Sequence, residues 1–268
     1  MKLTHKLCSA ALLAAVGVAV ALPSITKADD TEVPKNDTTF KGDMDIQFTR
    51  NTEDDTNTTR PGLTDSNGEK DTDIESGTIT RPLKPVVFGI QDVTPLSFGE
   101  NAVVTDGNDR VFWAKNYTEK DGVMANNVAI KDVRSTLNHN YTLTAQITKP
   151  MTTTVKEGAE SVDRKLDGAT LLYRNIGRKT NVAQEIALPE SAVKTSAEVA
   201  EAAPAIVVDN NGVNKDQGQG QTYIHFGKLT ATGEEASTKS VKLTIGKEKS
   251  IFEGDYKGEV TWVLTAAK

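Results

Sequence analysis

The chain is 268 residues long and carries a net charge of −6, with one cysteine and three histidines. That length allows one large domain or two small ones. The acidic balance opposes binding to nucleic acid and to anionic lipid, and the scarcity of cysteine and histidine removes most thiol and metal chemistry.

The N-terminus has the build of an export signal. Lys2 and Lys6 flank the start of the apolar run Leu7 to Leu22, and Thr26-Lys27-Ala28 puts small residues where a signal peptidase reads them, so cleavage is expected after Ala28. The run is shorter than the ~20 residues a spanning helix needs, so a mature form without a membrane span is expected. Cys8 stands at the start of the apolar run, whereas a lipidated cysteine would end it. Cleavage leaves a mature chain without cysteine, which excludes disulfides, thiol catalysis and thiolate metal sites together. Loss of Lys2, Lys6 and Lys27 also takes the net charge from −6 to about −9.

Residues 29–73 are rich in Asp, Glu, Asn and Thr and poor in bulky apolar side chains. Such a composition buries too little surface to offset the ordering of the chain, so a disordered acidic segment is expected, serving as a spacer or only as a solubilising leader. Its flexible span is on the order of 35 Å. Met44, Ile46 and Phe48 alternate and allow one short strand within it.

From Ile74 to the C-terminus short runs rich in Val, Ile, Thr and aromatics recur between Gly, Asn, Asp and Pro clusters. Strands are expected at Pro85–Phe88, Val111–Trp113, Val128–Ile130, Tyr141–Ile147, Thr170–Tyr173, Ile206–Val208, Thr222–Phe226, Val241–Ile245 and Glu259–Leu264. Turns are expected at Asp209-Asn210-Asn211-Gly212 and Ala231-Thr232-Gly233. The fold class is therefore all-β, a sandwich or barrel-like domain over residues 74–268 with at most one short helix. That helix falls at Ser191 to Ala203, behind Pro189, where an alanine-rich loop fits the sequence equally well.

Two segments carry the same pattern. Near the C-terminus Val260, Trp262 and Leu264 share one face of a strand and Glu259, Thr261, Val263 and Thr265 the other, with Tyr256 just ahead. In the middle of the chain Tyr141, Leu143 and Ala145 share a face after Asp132-Val133-Arg134-Ser135. An aromatic-x-Leu followed by Thr thus occurs twice. On these residues the chain resembles the WxL-domain surface proteins of Gram-positive bacteria, which carry one internal and one C-terminal Trp-x-Leu motif. Trp262-Val263-Leu264 matches the distal motif, and Tyr141-Thr142-Leu143 the proximal one with Tyr in place of Trp. Further family-like pieces follow in order: Leu96-Ser97-Phe98-Gly99, Leu166-Asp167-Gly168-Ala169-Thr170-Leu171, and Gly218-Gln219-Gly220 with Tyr223 and Phe226-Gly227. The resemblance implies attachment to the cell wall through peptidoglycan, alongside other surface proteins, including membrane-anchored partners.

Trp262 and Tyr141 fit two readings: stacking on sugar rings, or packing in a core with their aliphatic neighbours. Trp113, beside Phe112 in a strand, is a further exposed-aromatic candidate. Asp65-Ser66-Asn67-Gly68-Glu69, Asp71-Thr72-Asp73 and Asp106-Gly107-Asn108-Asp109 offer oxygen atoms on turns but do not complete a calcium loop. His139 and His225 have no zinc-binding spacing, there is no G-x-S-x-G elbow, and no cofactor is expected. The expected function is a secreted, non-enzymatic surface protein held non-covalently on the wall. The competing reading is a structural or adhesive subunit that reaches the wall through a protein partner. The acidic chain and the phosphate polymers of such walls repel each other, so any wall contact has to rest on hydrogen bonding and stacking.

Overall fold

The computed structural model describes residues 46–47, 60, 71–103, 107–212 and 214–267. The chain divides into a unit Met1–Phe48, of which Ile46 and Gln47 are described, and a unit Thr49–Lys268 that holds the described strands. The expected export signal and most of the acidic segment lie outside the described residues, as do Met44 and Phe48; Ile46 is exposed and in no strand. Among the described residues no helix is long and apolar enough to cross a membrane.

The fold is all-β. In chain order the strands are β1 (Glu75–Ser76), β2 (Phe88–Val93), β3 (Arg110–Trp113), β4 (Tyr117–Glu119), β5 (Gly122–Met124), β6 (Asn127–Asp132), β7 (Tyr141–Glu157), β8 (Glu160–Lys165), β9 (Thr170–Arg174), β10 (Ile176–Thr180), β11 (Ser196–Val199), β12 (Ala205–Asp209), β13 (Gly220–Phe226), β14 (Val241–Ile245) and β15 (Lys257–Ala266). They pair antiparallel in the orders β10-β13-β6-β2, β11-β9-β14-β3 and β12-β7-β15, with β8 folded back on the end of β7 and a small sheet β1-β5-β4 beside them. β6 and β13 are buried along their whole length, as the central strands of their sheet. β7 instead alternates, burying Tyr141, Leu143, Ala145 and Ile147 and leaving Thr142, Thr144, Gln146 and Thr148 outside. One apolar cluster joins the larger sheets, with Val128, Leu143, Leu171, Tyr173, Val208, Ile224, Phe226 and Val241 at its centre.

Two expectations need correction. Ser191 to Ala203 is neither helix nor plain loop: a 3-10 turn at Glu190–Ala192 is followed by β11, whose Ser196–Val199 pairs with Arg174–Leu171 of β9. Ala and Glu favour helix only weakly, and burial of Ala197 and Val199 in a ladder outweighs that preference. The strand expected at Pro85–Phe88 begins at Phe88 and runs to Val93, Pro85 having no N–H for a ladder.

The folded body also takes in residues ahead of Ile74. The Arg60 side chain is buried, its guanidinium 2.8 Å from Asp92 and its charge over the Tyr223 ring at 5.7 Å. Asp71 is buried 3.2 Å from Lys179.

Candidate functional site

Strand β15 lies directly against β7, and this brings the two aromatic-x-Leu segments side by side. Leu264 stands opposite Leu143, Trp262 opposite Ala145 and Ala266 opposite Tyr141. The small Ala145 leaves room beside it for the indole. The two segments are buried unequally: Tyr141, Leu143 and Ala145 are at most 1% exposed, while Val260, Trp262 and Leu264 are half-buried.

The Tyr141 end is a structural anchor. Asp132 is buried at the end of β6 and accepts a fork of hydrogen bonds from Arg134, Nε at 2.9 Å and an Nη at 2.7 Å. The Arg134 main-chain N–H also reaches Asp132 at 3.2 Å, and His139 Nδ1 stands 3.1 Å away. The Asp132-Val133-Arg134 stretch ahead of the proximal motif is thus a closed ion-pair knot. Arg134 lies 4.0 Å over the Phe88 ring, which packs on Tyr141 with centroids 6.0 Å apart. The Asp132 hydrogen bond holds the Arg134 guanidinium above its ordinary pKa, and burial pushes the Tyr141 phenol upward. Gly218 closes the same corner at φ 109°; a Cβ there would meet Asn210 Nδ2 at 2.5 Å and the His139 carbonyl at 2.8 Å.

Trp262 opens instead on a cavity of about 500 Å³, a size at which ligand pockets are found. Its indole stands edge-on to Tyr173 at 5.5 Å and nearly parallel to Phe226 at 6.1 Å, with Tyr173 and Phe226 4.6 Å apart. Each such ring pair adds about 0.5–1.5 kcal/mol beyond area burial. Around this floor stand Leu96, Phe98, Leu166, Ala169, Leu171 and Met151. Leu96 and Phe98, Leu166 to Leu171, Phe226 and Trp262, from four separate fragments of the resemblance, therefore converge on one groove, together with Met151 and Tyr173. Its rim carries Lys149 and Glu259, paired at 2.6 Å, and Glu201, whose carboxylate accepts the Gly168 N–H at 2.8 Å. Burial raises the Tyr173 phenol above its ordinary pKa, and among the described residues its hydroxyl has no hydrogen-bond partner.

Tyr256 also lines the groove, and its hydroxyl accepts the Phe252 N–H at 3.0 Å, bracing the loop that leads into β15. Trp113 does not join this group. It sits on edge strand β3 with the Arg174 guanidinium 4.7 Å and the Lys239 ammonium 5.2 Å from its ring. Tyr173 and Met151 line the groove without having been singled out as site residues. The only signal for Tyr173 was its place with Leu171 on one face of a strand, which does not say what that face meets.

The described oxygen-bearing turns have internal uses. Asp71 and Asp73 face Lys179, and Asp109 accepts the Lys247 N–H at 2.9 Å; Asp65 to Glu69 and Asp106 lie outside the described residues. Among the described residues no three His, Cys, Asp or Glu side chains gather where they could hold a metal ion. His225 is buried with Nδ1 3.0 Å from the Gly227 carbonyl, and burial lowers its pKa.

A family model described as "WxL domain surface cell wall-binding" matches residues 35–267. No curated protein and no solved structure matches the chain. The match takes in both motif strands, the ion-pair knot and every wall of the groove, and the chain belongs to the WxL family of cell-surface, wall-binding domains.

Proposed function

We propose that the mature chain is a secreted surface protein held non-covalently on the cell wall, with peptidoglycan as the ligand of the WxL domain. The observation that carries this reading is the convergence of the family's scattered motif pieces on the groove floored by Trp262, Tyr173 and Phe226. Aromatic rings set around an apolar hollow offer stacking area to a sugar ring and a dry seat to an alkyl group. Tyr141 plays no direct part in contact: at 1% exposure it packs the knot that fixes the start of β7. Of the two readings open for the motif aromatics, the distal one suits contact and the proximal one core. No catalytic step is part of the proposal.

Co-sedimentation of the purified mature protein with walls stripped of protein tests it. Recovery with bare walls, without release of reducing ends, supports direct, non-catalytic attachment. Recovery only after adding a second surface protein would instead establish the indirect, partner-borne reading.

A further inference from the structure

The strand that carries Trp262 and Leu264 is the outer strand of its sheet among the described residues: β15 pairs with β7 on one side and with no described strand on the other. Three hydrogen bonds fix which way its main-chain groups point. The Ala267 N–H donates to the Asn140 carbonyl at 2.9 Å, so Thr265, Val263 and Thr261, in step with it, face β7. On the other side of β7, the Asn210 N–H donates to the Tyr141 carbonyl at 2.9 Å and the Ile147 N–H to the Ala200 carbonyl at 3.1 Å. The odd-numbered residues of β7 therefore turn away from β15. The alternation of an antiparallel ladder then aims the N–H and C=O groups of Val260, Trp262, Leu264 and Ala266 outward. Among the described residues none of these groups receives a hydrogen bond from elsewhere in the chain.

The same residues have core-facing side chains that stay half-buried, whereas Tyr141, Leu143 and Ala145, flanked by a strand on each side, are buried. Pairing on one side only, among the described strands, accounts for the difference. From Val260 to Ala266 the edge has no proline and no charge; Lys257 and Glu259 stand only at its start. Folded proteins normally guard an edge of this kind with charge, proline or a covering loop.

We propose that this edge is a docking site for an extended segment of a second polypeptide, which joins the sheet outside β15 and lays alternate apolar side chains over Trp262 and Leu264 at the lip of the groove. The occupant is a polypeptide because outward N–H and C=O groups repeating every two residues, about 6.8 Å, match peptide main chain and not the hydroxyls of a sugar. Lys257, exposed and without an acidic partner among the described residues, favours an acidic residue at the end of the segment beside it. The proposal goes beyond wall attachment and does not depend on it.

The test is a selection of displayed ten-residue segments, apolar at alternate positions, against the full mature chain, followed by synthesis of the selected peptides. Binding should slow hydrogen exchange at the Trp262 and Leu264 amides about tenfold or more. N-methylation of one alternate set of peptide amides should weaken binding at least about tenfold, and methylation of the other set should not. Ala266→Pro, which removes an outward N–H and spares the β7 ladder, should weaken binding similarly; if it lowers the melting temperature, the methylated peptides carry the test. Three results would overturn the proposal: no enriched segment, binding indifferent to N-methylation, or amides already protected in the free chain in proportion to its concentration. The last would show a second copy on the edge.

Discussion

Leu143 and Leu264 face each other across adjacent strands, although they come from opposite halves of the domain. Each is the leucine of its own aromatic-x-Leu segment, so the two motifs form one cross-strand unit. Leu143→Ala should cost about 2–5 kcal/mol and Leu264→Ala, half-buried, about 1–3 kcal/mol. The double variant should show a coupling of about 0.5–1 kcal/mol in urea unfolding. Strict additivity would separate the motifs in space.

Asp132 answers to two cationic or donor groups at once. Asp132→Ala leaves half-buried Arg134 beside Phe88 without its counter-charge and buried His139 without its acceptor. Removing one member of a buried pair typically costs about 3–5 kcal/mol. The melting temperature should therefore fall well below that of Lys149→Ala, which breaks only an exposed pair on the groove rim. Equal losses would mean that the knot does not hold the start of β7.

Stability should weaken at both ends of the pH range. Burial raises Tyr141 and Tyr173, and pushes Tyr223 up to about 12 from the usual 10.0. A phenol with a raised folded-state pKa supports the fold fully below the unfolded value, and that support drains as pH climbs from about 10 toward the folded value. His225 runs the opposite way. Its pKa is lowered by burial from 6.5, so its contribution is complete above that value and lost as pH falls below it. Urea midpoints across pH should decline on both sides, and His225→Gln should flatten the acid side. An acid limb unchanged in that variant would remove His225 as its cause.

How much of this was legible in the sequence follows from what periodicity encodes. Tyr141, Leu143 and Ala145, and Val260, Trp262 and Leu264, announced their inward faces through a two-residue period, and the structure keeps both sets. The period says nothing about which strands become neighbours, so the pairing of β7 with β15 could be suspected only from the repeated motif. It is equally silent on sheet edges. Trp262 is half-buried because β15 is an outer strand, a property of the assembled sheet alone. β8 and β10 escaped notice because their charged residues read as loop, and β11 because its local helix preference pointed elsewhere.

Charge sets the salt response. The mature chain is expected near −9, so with walls that carry phosphate polymers moderate salt should maintain or strengthen sedimentation by screening the repulsion. A steep loss with salt would locate binding in a basic patch, contrary to attachment through the apolar groove.

The body also depends on residues ahead of its first strand. Deleting residues 29–73 removes Arg60 from buried Asp92, which keeps Arg81 at 2.8 Å, and removes both Asp71 and Asp73 from half-buried Lys179. The deletion should lower stability by about 1.5–3 kcal/mol, the scale of a lost charged hydrogen bond. A chain beginning near residue 55 should melt with the full-length mature protein, and equal stability of all three would make these pairs incidental.

The groove's role is tested most directly by Met151→Glu, which places a carboxylate at a half-buried lining position without deleting core. Sedimentation with bare peptidoglycan should be lost in this variant while its melting temperature stays close to that of the parent. If the folded variant sediments as fully as the parent, the groove beside the paired motifs does not hold the wall.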